Sequence, residues 1–314
     1  MLRQGTCIGF LPDAGCGLIY ADEPVDGSSI VFVHFRDIEP IDGWQGLTQG
    51  DRVEYVHDEE KGALFHRAYA ASGIDGGFVR AIDSTEHKLL FCSATEIADD
   101  AFQSAGKVCV VTGDIPCGWT FKVLPRDVFF YKCRWQEKAN FSNVKVNGSL
   151  VFLGCSFNDA FTLKETCVSG AVHMEGCDFS GTGGVSFRGL QAKSLYLDFG
   201  VKGSRDMIWM NEMYIEHNVV IGGVFEGSIQ VMRIQDDRVS TQTSKENIAQ
   251  KRPCFERLFI GKEFYKSQNI NRSTLHSSLD VQGLSNGESI EIEHAEINAL
   301  NLTGLGGGVL IFPR

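Results

Sequence analysis

His173 and Glu175 lie two residues apart, and Tyr196 and Asp198 repeat that spacing further along the chain. An imidazole and a carboxylate on one strand, facing a phenol and a carboxylate on the next, are the materials of acid–base hydrolysis of a glycosidic bond. Two carboxylates must stand about 5 Å apart to retain configuration, or about 6.5–9.5 Å apart to invert it. Strands stacked at about 4.8 Å would bring Glu175 and Asp198 to the first distance. The column is only two strands deep, however. A lyase would also need a basic catalyst, and Arg188, Lys193 and Arg205 are scattered. A solvated strand face accounts for the same residues, and the expectation is a chain that is not an enzyme. The run Glu291-Ile292-Glu293-His294-Ala295-Glu296 has a metal-binding composition, but strand alternation turns Ile290 and Ile292 inward and the acids outward.

Ten cysteines, at 7, 16, 92, 109, 117, 133, 155, 167, 177 and 254, form no CxxC pair, which removes the usual zinc and thioredoxin-type spacings. They read as reduced, mostly buried thiols acting as small hydrophobes in the cytoplasm. Walker, GxSxG and HExxH motifs are missing too, so no cofactor is expected. The chain has 314 residues, 43% of them hydrophobic, and a net charge of -11, enough for a large core and unsuited to a broad polyanion-binding surface. No apolar run reaches the 18 to 20 residues of a membrane span, and no membrane partner is expected.

The elements that would position any site fall into two units. Residues 5 to 70 read as five short alternating strands, at Cys7 to Phe10, Leu18 to Tyr20, Ser29 to Phe35, Arg52 to Val56 and Leu64 to Tyr69. Five strands in so short a span predict a small closed barrel of OB topology. Gly15-Cys16-Gly17-Leu18-Ile19 and Val31-Phe32-Val33-His34-Phe35 stand where a cold-shock domain carries its two RNP motifs. Gly43-Trp44-Gln45-Gly46-Leu47, Gly50-Asp51-Arg52-Val53-Glu54-Tyr55 and Lys61-Gly62-Ala63 resemble that family's loop, fourth strand and start of the fifth. The resemblance to cold-shock domains covers about a fifth of the chain.

It implies binding of single-stranded RNA or DNA on an aromatic platform, with base contacts from Phe32, His34 and Phe35, help from Trp44 and Phe10, and a phosphate contact from Lys61. The departures are equally specific. The family's first-strand Trp is Gly9 here, the two Phe of the first RNP motif are Cys16 and Leu18, and the preceding Lys positions are Ile8 and Ala14. Three stacking side chains are thereby lost, roughly 3–9 kcal/mol if terms of about 1–3 kcal/mol per base add. Residues 1 to 70 also hold 5 Lys and Arg against 12 Asp and Glu, a balance of -7. Any binding is expected to be weak and salt-sensitive. The alternative is that Phe10, Phe32 and Phe35 pack the barrel or an interface, with His34 an ordinary exposed histidine, and that the barrel docks on a partner or on the second domain.

From residue 107 onward the chain repeats. Gly154-Cys155-Ser156-Phe157 is echoed by Gly176-Cys177-Asp178-Phe179, and inward pairs recur as Leu150/Phe152, Val172/Met174, Leu195/Leu197 and Val219/Ile221. A second strand keeps step through Phe161/Leu163, Val185/Phe187, Ile208/Met210 and Ile229/Val231. The device returns at Leu279/Val281 and Leu300/Leu302 as first strands, with Ile290/Ile292 and Val309/Ile311 as second strands. This predicts a right-handed parallel β-helix of about eight coils, each burying its inward ladder against its neighbours. Residues 71 to 106 are expected to form a linker and a capping helix opening at Ser93-Ala94-Thr95-Glu96. The polar segment at about 236–254 is expected to loop out. The apolar last strand predicts a homo-oligomer formed through the C-terminal coil.

Overall fold

A computed structural model of the protein describes residues 2–25, 28–39, 46–57, 66–69, 79–82, 89–95, 108–179, 181–198, 208–222, 224–225, 229–232, 257–261, 273–282, 289–293, 295–303 and 309–311. The chain is all-β, with an N-terminal antiparallel sheet and a parallel β-solenoid of about 5 turns over residues 89–230. It divides into two compact units, Met1–Gly113 with Val128–Cys133, and Asp114–Asp127 with Arg134–Arg314. No helix among the described residues is long and apolar enough to cross a membrane.

In the first unit, β1 (Leu2–Leu11), β2 (Cys16–Val25) and β3 (Ser28–His34) form an antiparallel meander, followed by β4 (Arg52–His57), β5 (His66–Tyr69) and β6 (Val79–Ile82). The pairing order is β1-β2-β3-β5-β4, and β4 pairs back to β1. Strand alternation places Cys7, Ile19, Val31, Val33, Val53 and Tyr55 in one buried cluster. On β4, Arg52 grips both oxygens of Asp22 at 2.9 and 2.5 Å and donates to Thr6 Oγ1 at 2.9 Å. This two-pronged arrangement offsets the cost of burying the guanidinium. β6 lies within the expected linker, yet it pairs antiparallel with β4.

The solenoid also starts before the expected residue 107. β7 (Leu89–Ser93) already pairs in parallel with β8 (Val108–Ile115). Ser93, read as the start of a helix cap, ends a strand, and Ala94 and Thr95 form a turn. The rest of that expected helix lies outside the described residues, as does the 236–254 insertion.

The second unit contains three parallel sheets. The strands Leu150–Leu153, Ala171–Glu175, Ser194–Asp198 and Asn218–Gly222 pair in succession, with Leu150 against Val172, Val172 against Leu195, and Leu195 against Val219. A second sheet joins Asp159–Thr162, Thr182–Ser186, Ile208–Trp209 and Ile229–Met232. The third was not anticipated. Its strands, such as Lys145–Val146, Cys167–Val168 and Tyr214–Ile215, are two residues long. Two residues are too few to display a period.

The C-terminal assignment from sequence is reversed in the structure. Leu279 and Val281 align with Ile229 and Val231 of the second sheet, whereas Ile290 and Ile292 align with Leu258 and Ile260 of the first. Leu310, not Val309 or Ile311, stands in register with Ile290. Alternation identifies a strand but carries no label for its sheet.

Phenyl rings fill the interior. Phe157 stacks on Phe179 at 4.9 Å, and Phe161 meets Phe152 edge-on at 5.3 Å. The coils turn at a recurrent left-handed corner occupied by Asn143 (φ 60), Glu165 (φ 54), Gly189 (φ 68) and Glu212 (φ 56). The backbone N–H of each of the first three bonds to the coil above, as in Glu165 N to Arg188 O at 2.8 Å. A non-glycine residue there costs about 1–2 kcal/mol, part of which glycine returns as unfolded-state entropy. Glu165→Gly should therefore raise stability, and Gly189→Glu should lower it, each by up to about 1 kcal/mol. Thermal unfolding checks both; shifts of the same sign would contradict a shared corner conformation.

Candidate nucleic-acid interface

Strands β1 and β3 set three of the six expected contact residues, Phe10, Phe32 and His34, on two different faces. Leu18 pairs with Phe32 and Cys16 with His34, while Gly9 and Leu11 pair with Leu18 and Cys16. Phe32 and His34 thus share one face with Gly9, Leu18 and Cys16, as the RNP-like pattern implies. Phe10 does not. The register shifts between Cys7 and Gly9, which resets the alternation and carries Phe10 into the core cluster on the opposite face. Phe35 is half-buried, packs against that same cluster, and lies 4.6 Å from the His34 ring, centroid to centroid. Trp44 and Lys61 lie outside the described residues.

The face that carries Phe32 and His34 is closed to solvent. Phe32 is 2% exposed, and His34, Leu18, Cys16 and Ile8 are all 0% exposed. Base stacking requires an open ring face, and none is offered here.

Part of the covering comes from a strand of the same unit, β9 (Val128–Trp135), of which residues up to Cys133 belong to that unit. The Tyr131 ring sits where a Cβ on Gly9 would go, 2.4 Å from that position. The Tyr131 hydroxyl donates to Phe10 O at 2.8 Å, and Phe129 meets Tyr20 edge-on at 5.7 Å. Gly9 is the position that the resemblance to cold-shock domains sets against that family's Trp. Lacking a side chain, it leaves the space that Tyr131 enters.

Sequence reasoning did not single out Phe129 and Tyr131. A signal was present, because Val128-Phe129-Phe130 is apolar without alternation, the mark of a strand buried on both faces. Leu150-Val151-Phe152-Leu153 carries the same mark, and all four residues are buried.

The second candidate, the His173 column, is likewise enclosed. His173 is 2% and Glu175 4% exposed, contrary to the expected solvated face. Their side chains meet at 3.2 Å between Nε2 and Oε2, and the Tyr196 ring lies 5.8 Å from the imidazole. Burial raises the Tyr196 pKa, while a hydrogen bond to Ser194 opposes that rise. Glu175 and Asp198 are backbone partners, as expected, but Glu175 is spent on His173 instead of facing an open groove. No metal-binding group of three or more His, Cys, Asp or Glu occurs among the described residues.

The described cysteines are all free, and Cys7, Cys16, Cys109, Cys133, Cys155 and Cys177 are buried. Burial and the neighbouring Cys155 push the Cys177 thiol well up in pKa, which makes it a poor nucleophile.

Comparison with protein-family models and with curated proteins yields no match for this chain.

If Tyr131 fills the Gly9 site, Gly9→Ala should cost about 1–3 kcal/mol in the natural sequence and much less in a Tyr131→Ala background. Urea unfolding of the four proteins gives this coupling. Equal costs in both backgrounds would show that something else occupies the space.

Proposed function

We propose that this protein is a non-enzymatic interaction scaffold, in which a barrel of OB type and cold-shock ancestry has turned its single-strand face over to internal packing. The strand order β1-β2-β3-β5-β4, with return to β1, supports the barrel reading. Parallel pairings running on through Arg257–Gly261 and Ser289–Glu293 to Val309–Ile311 support a solenoid of about eight coils. The free cysteines fit a reducing, cytoplasmic setting.

The observation that carries the functional reading is the burial of Phe32 and His34 together with the seating of Tyr131 against Gly9. A cold-shock-type binder needs those rings in solvent. It also needs a phosphate-attracting surface, and residues 1 to 70 are strongly acidic. The competing reading is weak binding of single-stranded RNA or DNA at this face. Titrating labelled RNA and DNA heptamers at about 50 mM salt separates the two. No binding up to about 100 μM is expected, and saturable binding below that concentration would sink the scaffold reading.

The partner proposed is a second copy of the chain. Val309–Ile311 stands at the end of the described order of its sheet, paired to Ser289–Glu293 on one side. A parallel edge with no second partner among the described residues offers backbone N–H and C=O groups to another strand. Size exclusion with light scattering should give an oligomer for the full chain and a monomer for a chain ending at Gly308. A monomer in both cases would end the self-association proposal.

A further inference from the structure

An open groove of about 500 Å³ lies in the second unit, where the second sheet begins. That volume is within the usual range for small-molecule sites, about 300–1,000 Å³. One wall is an aromatic side chain held by a tight turn. Gly118 takes a left-handed φ of 73°, and the Trp119 N–H closes the turn on Pro116 O at 3.3 Å.

The half-exposed Trp119 ring has aromatic neighbours. It meets Phe121 at 4.4 Å, and Phe121 stacks on the buried Phe141 at 5.6 Å. A rigid indole at a groove wall is an apolar plate with little ordering entropy left to lose.

Polar groups line the same groove. Glu137, Lys138, Asn140 and Asp159 are all exposed, and they come from two successive coils. Asn140 Oδ1 accepts from Ser142 N at 3.1 Å, which orients its amide and leaves the NH₂ as donor. Asp159 Oδ1 accepts from Ala160 N at 2.6 Å, leaving the second oxygen as acceptor. The rim therefore presents two carboxylate acceptors, an amide donor and an ammonium donor around one indole.

That combination selects a ligand class. An anion such as a phosphate would face two carboxylates and one ammonium. An organic cation would be drawn by the two carboxylates, but it would meet Lys138 beside them and a single indole instead of a cage, since Trp135 is 5% exposed and stacked on Phe157 at 4.9 Å. A neutral polyhydroxylated ring suits the site, because each hydroxyl both donates and accepts while the ring's C–H face lies flat on an indole.

We propose that this groove binds a neutral saccharide, with one pyranose ring on Trp119 and its hydroxyls held by Glu137, Lys138, Asn140 and Asp159. Binding is non-catalytic and involves neither the buried His173–Glu175 pair nor the β1–β3 face.

Saturation-transfer NMR on the full chain tests the proposal. The probes are glucose, galactose, mannose, N-acetylglucosamine and their β-linked disaccharides at about 10 mM, with inorganic phosphate and choline as charged probes. The expected result is transfer to the ring protons of at least one neutral sugar, with Kd in the millimolar range or tighter. Trp119→Ala and Asp159→Asn should each weaken that binding about ten-fold, with circular dichroism and unfolding midpoint unchanged. Asp159→Asn keeps the side chain's shape and so reads the acceptor alone. Absence of transfer across the neutral panel would overturn the proposal. So would undiminished transfer in both variants, or displacement of the sugar by phosphate or choline.

Discussion

A coil of this solenoid cannot satisfy its own backbone. The N–H groups of one turn find their carbonyls a full turn away, as in Gly154 N to Glu175 O and Asp178 N to Cys155 O, both at 2.8 Å. Unpaired buried amides are costly, so register between turns must be kept through every corner. This explains why polar residues such as Asn143, Glu165 and Glu212 accept a left-handed backbone, and why phenyl rings of successive turns lie over one another inside. Two polar groups of the groove at Trp119 stand on paired strands of successive coils, Asn140 opposite Thr162 and Asp159 opposite Thr182.

The N-terminal sheet obeys a different accounting. Its core is small, and one side is held by the Arg52–Asp22–Thr6 network, a charged device in place of apolar area. The same side, further along β1, is covered in part by residues remote in sequence. Gly9, Leu18 and Cys16, which looked like losses from a binding platform, form a surface of low relief into which Tyr131 fits. A platform of large rings would leave no space for that phenol. The departures from the cold-shock pattern and the aromatic strand Val128–Trp135 are two halves of one packing solution.

Function follows from which surfaces remain open. The two constellations whose residue types first promise chemistry, the RNP-like aromatics and the His173 column, are both inside the protein, where burial favours packing over turnover. Trp119, half-exposed, and its exposed polar neighbours, which no motif marks, line one groove.

Much of the architecture was written in local pattern. The inward pairs from Leu150 to Ile221 and the echo of Gly154-Cys155 in Gly176-Cys177 identify parallel coils, because period-2 alternation and repeat length are properties of neighbouring residues. The RNP-like strands likewise placed Phe32 and His34 on one face. Other features depend on partners far along the chain. Strands of two residues in the third sheet, the exchange of sheets between Leu279 and Ile290, the register shift that moves Phe10 to the core, and the arrival of Tyr131 at Gly9 leave no local trace. Sequence alone determined which segments are strands and which side chains alternate. Only tertiary structure decided which of those faces meet water, because exposure is set by what packs on top, and here that is a strand some 120 residues away.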